Sequence, residues 1–336
     1  MTVGQYYTTM DKNTGSTRDF RHGSVTGVTP SEALAVIAGQ IRRTPVMTSE
    51  SLNRLTGMDL AFKCEQLQKT GSFKFRGASF AVSQLPDDCP GVATHSSGNH
   101  GAALAAAAAT RGFSADVVMP ENAVASKVEA VRAYGGRVHF CEPTQAAREA
   151  GLQALIDQGK TAIPPYDHEH IIAGQGTVAL EFLAQAPALD DLVAPIGGGG
   201  LLSGIALAAA QVAPHVRVTG AEPSGADDAA RSLAGGERVS DHHPRTIADG
   251  LRALIGTRNF AVLSSHGIEV ITVTESQIIE AMTLAWRHLK QVVEPSGAVP
   301  LAAVLAARDR FADRRVGIVL SGGNLEVGAL LEHLHS

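Results

Sequence analysis

The sequence predicts an α/β protein with mostly parallel, twisted sheets flanked by helices, on three observations. Apolar, β-branched runs alternate with helix-like runs along the chain. The β-branched runs are stopped by Pro or Gly. Several lead into polar or glycine-rich loops before the next helix. Such alternation argues for helices layered on a parallel sheet. Open sheets of this class bind ligands beyond the carboxyl ends of their strands, so those loops are where chemistry is expected.

Residues 1–24 carry little periodicity and read as a mobile tail. Ordered structure is expected from about Val28. TPSEALAVIAGQI (29–41) opens a helix, with a Thr-Pro-Ser start and Glu32 in the first turn. Strands are expected in ADVVMP (115–120), RVHFCEP (137–143), DLVAPI (191–196), VRVTGAEP (216–223), IEVITVTE (268–275) and RVGIVLSGG (315–323). Helices are expected in GAALAAAAATRG (101–112), VASKVEAVRAYGG (124–136), AAREAGLQALIDQG (146–159) and LLSGIALAAAQVAP (201–214). No tandem repeat is visible.

Composition narrows the function. With 336 residues, 44% hydrophobic and 18% charged, the chain is long enough for one large domain or two ordinary ones. A net charge of −5 points away from nucleic acid. No run of eighteen apolar residues predicts a membrane span, and the first 24 residues lack the apolar region of a secretory signal. Cys64, Cys89 and Cys141 have no metal-binding spacing; they read as free thiols of a reducing, cytoplasmic compartment.

APIGGGGLLSGIALAAA sets Gly197, Gly198, Gly199 and Gly200 between a strand and a helix. Residues without Cβ let backbone N–H groups converge on an anion, and the following helix turns its positive end to the same point. Neither G-x-G-x-x-G nor G-x-x-x-x-G-K-[ST] is present, so a single phosphate on a small cofactor fits best. KTGSFKFRGA (69–78) places Lys74 between Phe73 and Phe75. A phosphate cup and a lysine among aromatics suggest pyridoxal phosphate, whose aldehyde condenses with a neutral lysine amine. Lys69 reads as a solvated charge.

QKTGSFKFRGA, THSSGNHGAALA, IAGQGTVALE, PIGGGGLLSG, AEPSGADD, TIADGL, VEPSGAVPLAA and VLSGGN follow one another in that order. Together they resemble the fold type II pyridoxal-phosphate enzymes, the tryptophan synthase β-like group. Within it they most resemble serine racemase and the serine/threonine and hydroxyaspartate dehydratases. The likeness runs from about Arg43 to Asn324.

The resemblance implies roles. Lys74 carries the cofactor and takes the Cα proton, with Phe73 beside it in the cofactor site. Asn99 bonds the ring hydroxyl oxygen, Ser321 faces the pyridine nitrogen, and Gly197–Gly200 hold the phosphate. Ser96, Ser97, Asn99 and His100 receive the substrate carboxylate at a helix N-terminus, and Ser97 matches the second acid/base of serine racemase. Arg148 matches an arginine near the substrate entrance, suited to a second carboxylate. Glu294 lies near the ring. Glu222, the Ala226 carbonyl and Asp228 match a divalent-cation site for Mg²⁺, Mn²⁺ or Ca²⁺; Asp227 faces solvent. The histidine pairs His168/His170 and His242/His243 read as surface groups.

The implied architecture has a large cofactor-binding domain (25–88 and 169–336) and a small domain (89–168) that closes over the substrate. The implied reaction is β-elimination from a 3-hydroxy amino acid (serine, threonine or 3-hydroxyaspartate) to a 2-oxo acid and ammonia. The alternative is serine racemase with side dehydratase activity. A homodimer is the family expectation. Twelve residues after Asn324 leave no room for a regulatory domain. Animal serine racemases carry Gln near a nucleotide site where this chain has Ala102, so activation by ATP is not implied. A non-catalytic binding protein would be expected to lack the lysine or loop donors, and a nicotinamide oxidoreductase would need G-x-G-x-x-G.

Overall fold

The computed structural model describes residues 27–96, 98–326 and 328. The tail predicted at 1–24 and Ser97 lie outside them. The first helix among the described residues, α1 (Pro30–Ile37), starts where Thr29 and Glu32 form a reciprocal capping box. Its start and type match the expectation from TPSEALAVIAGQI.

A six-stranded sheet is built from β1 (Val46–Thr48), β2 (Asp59–Cys64), β7 (Asp191–Pro195), β8 (Arg217–Pro223), β9 (Glu269–Val273) and β10 (Arg315–Leu320). Its order is β1-β2-β10-β7-β8-β9. Only the edge pair β1–β2 is antiparallel. A four-stranded sheet, order β5-β4-β3-β6, is parallel throughout: β3 (Val92–His95), β4 (Ala115–Pro120), β5 (Arg137–Cys141) and β6 (Thr161–Ala162).

Side chains alternate across these sheets with the strand period of two. In β10, Val316, Ile318 and Leu320 join one core cluster, with Val299 and Ala303 of helix α12 (Pro295–Ala306). Val319 points the other way, to Phe182 of α7 (Glu169–Gln185) and Leu202 of α8 (Gly200–Val212). The large sheet is therefore buried on both faces, as a parallel sheet requires. The small sheet repeats the pattern. Val117 and Met119 meet α4 (Asn99–Thr110), while Val118 meets Leu152 and Leu155 of α6 (Gln145–Asp157).

The carboxyl ends of β3, β7 and β10 lead into Ser96–Asn99, Gly197–Gly200 and Ser321–Asn324. Four further helices matter below: α3 (Lys74–Ser83), α5 (Ala125–Ala133), α9 (Asp228–Gly235) and α10 (Thr257–Ser265). Cys64, Cys89 and Cys141 are free thiols.

Candidate active site

Lys74 is the first residue of α3. The turn before it is tight: Thr70 and Gly71 both have positive φ, and Ser72 bridges to Gly322. A Cβ on Gly71 would stand 2.1 Å from Asn324 Oδ1, so glycine is demanded there by conformation and by space. Phe73 N–H donates to the Ser321 carbonyl at 3.1 Å. Lys74 Nζ donates to the Pro165 carbonyl at 2.7 Å and lies 5.2 Å from the Phe73 ring centre. Burial pulls the amine down to about 8, against the attraction of Glu294. An appreciable neutral fraction near neutral pH is what a nucleophilic lysine needs.

Beneath Lys74, the same helix is anchored by buried charge. Arg76 is fully buried and clamped by two carboxylates. Its Nε and Nη2 donate to both Glu65 oxygens at 2.8 Å, and Nη1 and Nη2 donate to Glu181 at 2.9 and 2.8 Å. Lys63 Nζ donates to Glu181 Oε2 at 2.9 Å. Paired and hydrogen-bonded charges of this kind tolerate burial; single ones do not.

Asn99 opens α4. Its Nδ2 donates to Glu294 Oε1 at 2.7 Å, and its Oδ1 accepts from Asn324 Nδ2 at 2.9 Å. Asn324 also donates to the Thr70 carbonyl at 2.7 Å. Glu294 is 4% exposed, and burial pushes its carboxyl up to about 7. Nearby Asp249 pushes the same way, and Asp249 is in contact with Lys127 of α5. Lys74, Asn99, Glu294, Ser321 and Asn324 thus come together from four separate stretches of chain. In the sequence Glu294 carried no assigned role beyond its place near the ring. Its signal was a lone acid ahead of Pro-Ser-Gly and a wholly apolar helix.

Ser96 and His100 serve the loop itself. Ser96 Oγ accepts from the N–H groups of Gly98 at 3.3 Å and Gly101 at 3.2 Å. His100 Nε2 meets the Ile163 carbonyl at 3.0 Å, and burial takes the ring down to about 3, so it is neutral. Its other ring nitrogen, Nδ1, is buried without a hydrogen-bond partner. The His100 backbone N–H lies in the first turn of α4, where helix N–H groups have no intrahelical acceptor.

The glycine loop joins β7 to α8. Gly199 is left-handed, with φ 92°. A Cβ on Gly198 would stand 2.3 Å from Tyr166 Cγ, and one on Gly197 would stand 2.9 Å from Leu251 Cα. The Gly198 carbonyl accepts from Asn259 Nδ2 at 2.7 Å and from Gly256 N–H at 3.1 Å. Pro165 and Tyr166 therefore touch Lys74 and the glycine loop in succession.

Arg148 is half-buried on α6, with Nε on the Thr144 carbonyl at 3.3 Å. His95, at the carboxyl end of β3, is held below the usual imidazole range by burial and then by the Arg148 charge. The structure thus brings a cation to the side of β3 from which Ser96 follows.

Glu222 and Asp228 are fully buried near one another. The Glu222 oxygens accept from the N–H groups of Ala229 and Ala230 at 3.2 and 2.9 Å. Burial, more than the neighbouring Asp228, pushes its carboxyl up to about 9. Asp228 Oδ2 accepts from Ile255 N–H at 2.8 Å, and its Oδ1 has no hydrogen-bond partner. Among the described residues, no cluster of three or more His, Cys, Asp or Glu is placed to hold a metal.

Three expectations are corrected. Lys69 is not a solvated charge: its amine reaches the Gln40 carbonyl and sits 5.5 Å from the Phe75 ring centre. The turn at 70–71 folds it back onto α1's trailing loop. His242 is not a surface group: its side chain is 5% exposed, with Nε2 3.4 Å from Asp228 Oδ1. His168 and His170 are half-buried and stack edge-on, rings 5.1 Å apart. His168 also accepts from the His170 N–H at 3.2 Å, capping α7.

Comparison with known proteins agrees with this geometry. Residues 37–322 match the family described as pyridoxal-phosphate dependent enzyme. The beta-hydroxyaspartate dehydratase of Paracoccus denitrificans is 46% identical over 299 residues, covering 88% of this chain and 94% of that protein. The serine racemase of Arabidopsis thaliana is 48% identical over 313 residues, covering 91% of this chain and 95% of that protein. The solved structure of maize serine racemase superposes with a TM-score of 0.87 at 43% identity, covering 91% of this chain and 95% of that one. With a buried, low-pKa lysine and a glycine loop at the strand ends, and with that match across most of its length, the chain belongs to the pyridoxal-phosphate dependent enzymes of fold type II.

Proposed function

We propose that the protein is an ammonia-lyase that eliminates water from a 3-hydroxy amino acid, with 3-hydroxyaspartate ahead of serine and threonine. The observation that carries the choice is Arg148 on α6, whose charge is felt by His95 at the carboxyl end of β3: a cation on this side of the site suits a second substrate carboxylate. A beta-hydroxyaspartate dehydratase among the relatives supports it.

The residues fit the cofactor. Lys74 would bind it, Gly197–Gly200 would take its phosphate, Asn99 its ring hydroxyl oxygen and Ser321 its ring nitrogen, with Phe73 alongside. The cofactor supplies an electron-withdrawing ring that acidifies Cα–H. Lys74, neutral and buried, accepts that proton at Nζ. The backbone N–H groups at the start of α4 hold the α-carboxylate, assisted by the helix dipole. The β-hydroxyl takes up the proton that Lys74 Nζ has accepted and leaves as water, and the released enamine takes up water to give a 2-oxo acid and ammonia. The small unit (89–168) closes over the substrate and keeps water from the reacting atoms, and the contact of Lys127 with Asp249 links it to the large unit.

Serine racemisation is the second reading. It rests on Ser97 and on the serine racemases among the relatives. A divalent cation at Glu222, the Ala226 carbonyl and Asp228 belongs to the proposal, supported by two fully buried acids near one another, one oxygen of which, Asp228 Oδ1, has no hydrogen-bond partner. A homodimer belongs to it too, to be read by sedimentation.

The test is 2-oxo-acid release from L-serine, D-serine, L-threonine and each 3-hydroxyaspartate stereoisomer, by wild type and Arg148→Met. Rapid turnover of one hydroxyaspartate isomer, lost selectively in the variant, supports the proposal. Preference for serine with formation of its other enantiomer replaces it with the racemase reading.

A further inference from the structure

The glycine loop is not self-supporting: four glycines in series have little conformational preference of their own. One polar side chain holds it from behind. Asn259 is completely buried in the first turn of α10, 61 residues from Gly198. Its Nδ2 donates to the Gly198 carbonyl at 2.7 Å and to the Tyr166 carbonyl at 3.4 Å. Gly256 N–H adds a second donor to the Gly198 carbonyl at 3.1 Å. Asn259 is itself aimed by Asp167, whose carboxylate accepts from Thr257 and Arg258 N–H, both at 3.0 Å. Asp167 thereby caps a helix whose own N-cap, Gly256, has no side chain to do so.

A trans peptide is planar, with its C=O and the next N–H on opposite sides. Fixing the Gly198 carbonyl toward Asn259 therefore fixes the Gly199 N–H on the side away from Asn259. The Cβ of Asn259 would also stand 2.7 Å from any Cβ at position 199, so side chain and glycine are fitted to one another. We propose that Asn259 is a positioning residue that orients the Gly199 amide toward the cofactor phosphate. It acts through the loop, without touching the cofactor. The inference rests on the reading of Gly197–Gly200 as the phosphate site.

The test compares pyridoxal phosphate with pyridoxal, which lacks only the phosphate, as ligands of wild type, Asn259→Asp and Asn259→Ala. Asp keeps the shape but offers an acceptor to the Gly198 carbonyl; Ala removes the contact without adding charge. The dissociation constant of each vitamer is measured after cofactor removal, with thermal midpoints as the check on folding. The expected result is a loss of about tenfold or more for pyridoxal phosphate and less than about twofold for pyridoxal, in both variants. An unchanged ratio between the vitamers in both variants overturns the role of Asn259, whatever their stability. A wild type that binds both vitamers equally overturns the phosphate-site reading itself.

Discussion

Asn99 Nδ2 donates to Glu294 Oε1 across 2.7 Å, tying the start of α4 to the residue just before α12. The pair joins the small sheet's first helix to a helix packed on the large sheet, beside Lys74. Its acid member is half-titrated at about 7, so the contact responds to pH.

That response has a sign. Burial raises Glu294 from 4.5 to about 7, so between those values the folded protein holds a proton that the unfolded chain has released. The stability linked to this group is complete below the lower value and is lost as pH rises through the upper one. Glu294→Gln cannot ionise. It is expected to exceed wild type by on the order of 3 kcal/mol at about pH 8 and to match it near pH 4. Urea unfolding at the two pH values reads the difference; an equal offset at both would refute the assignment.

Lys74 is lowered from 10.5 to about 8 by burial. Its amine should become competent as pH rises toward that value. Addition of pyridoxal phosphate to the cofactor-free protein should accelerate with pH and level off above about 8. Stopped-flow absorbance follows this directly. Lys74→Ala should retain little cofactor after dialysis and lose roughly a hundredfold or more in turnover.

Arg76 holds Glu65 and Glu181 in a site closed to water. Arg76→Met leaves the two carboxylates facing each other with only Lys63 to balance them. A loss of about 3–5 kcal/mol in unfolding free energy is expected. Arg76→Lys should recover only part, because an ammonium cannot make the paired bonds to both acids.

Gly199 and Gly112 both have positive φ, but only Gly199 is crowded: a Cβ there meets Asn259 at 2.7 Å, whereas one on Gly112 meets nothing within 4 Å. Gly199→Ala should cost about 1–3 kcal/mol and weaken pyridoxal phosphate binding. Gly112→Ala should carry strain alone and leave cofactor affinity unchanged. Equal cofactor loss in both would show that strain, not position, is responsible.

If the buried pair Glu222 and Asp228 holds a cation, a chelator should lower the thermal midpoint, and Mg²⁺, Mn²⁺ or Ca²⁺ should restore it. A hundredfold excess over the dissociation constant corresponds to about 2.7 kcal/mol. Glu222→Gln should abolish the response. A midpoint indifferent to chelator and to all three ions would remove the cation from the proposal.

The strand–helix alternation, the positions of six strands and five helices, and the glycine loop were all legible in the sequence, because periodicity and missing Cβ atoms are local properties. So was Lys74, by its motif. β2, DLAFKC, was not: it carries a lysine, which reads as surface until Glu181 is found 118 residues away. Lys69 and His242 read as exposed for the same reason, since Gln40 and Asp228 reach them only through the fold. Glu294 acquired a partner, and Asn259 a purpose, only when the chain returned to the same strand ends from 195 and 61 residues away. Sequence by itself determined the strand–helix alternation, the segments whose local pattern is clear and the motif that bears the amine. Tertiary structure decided which buried polar groups meet, because a side chain's charge and hydrogen bonding depend on neighbours that no local pattern records.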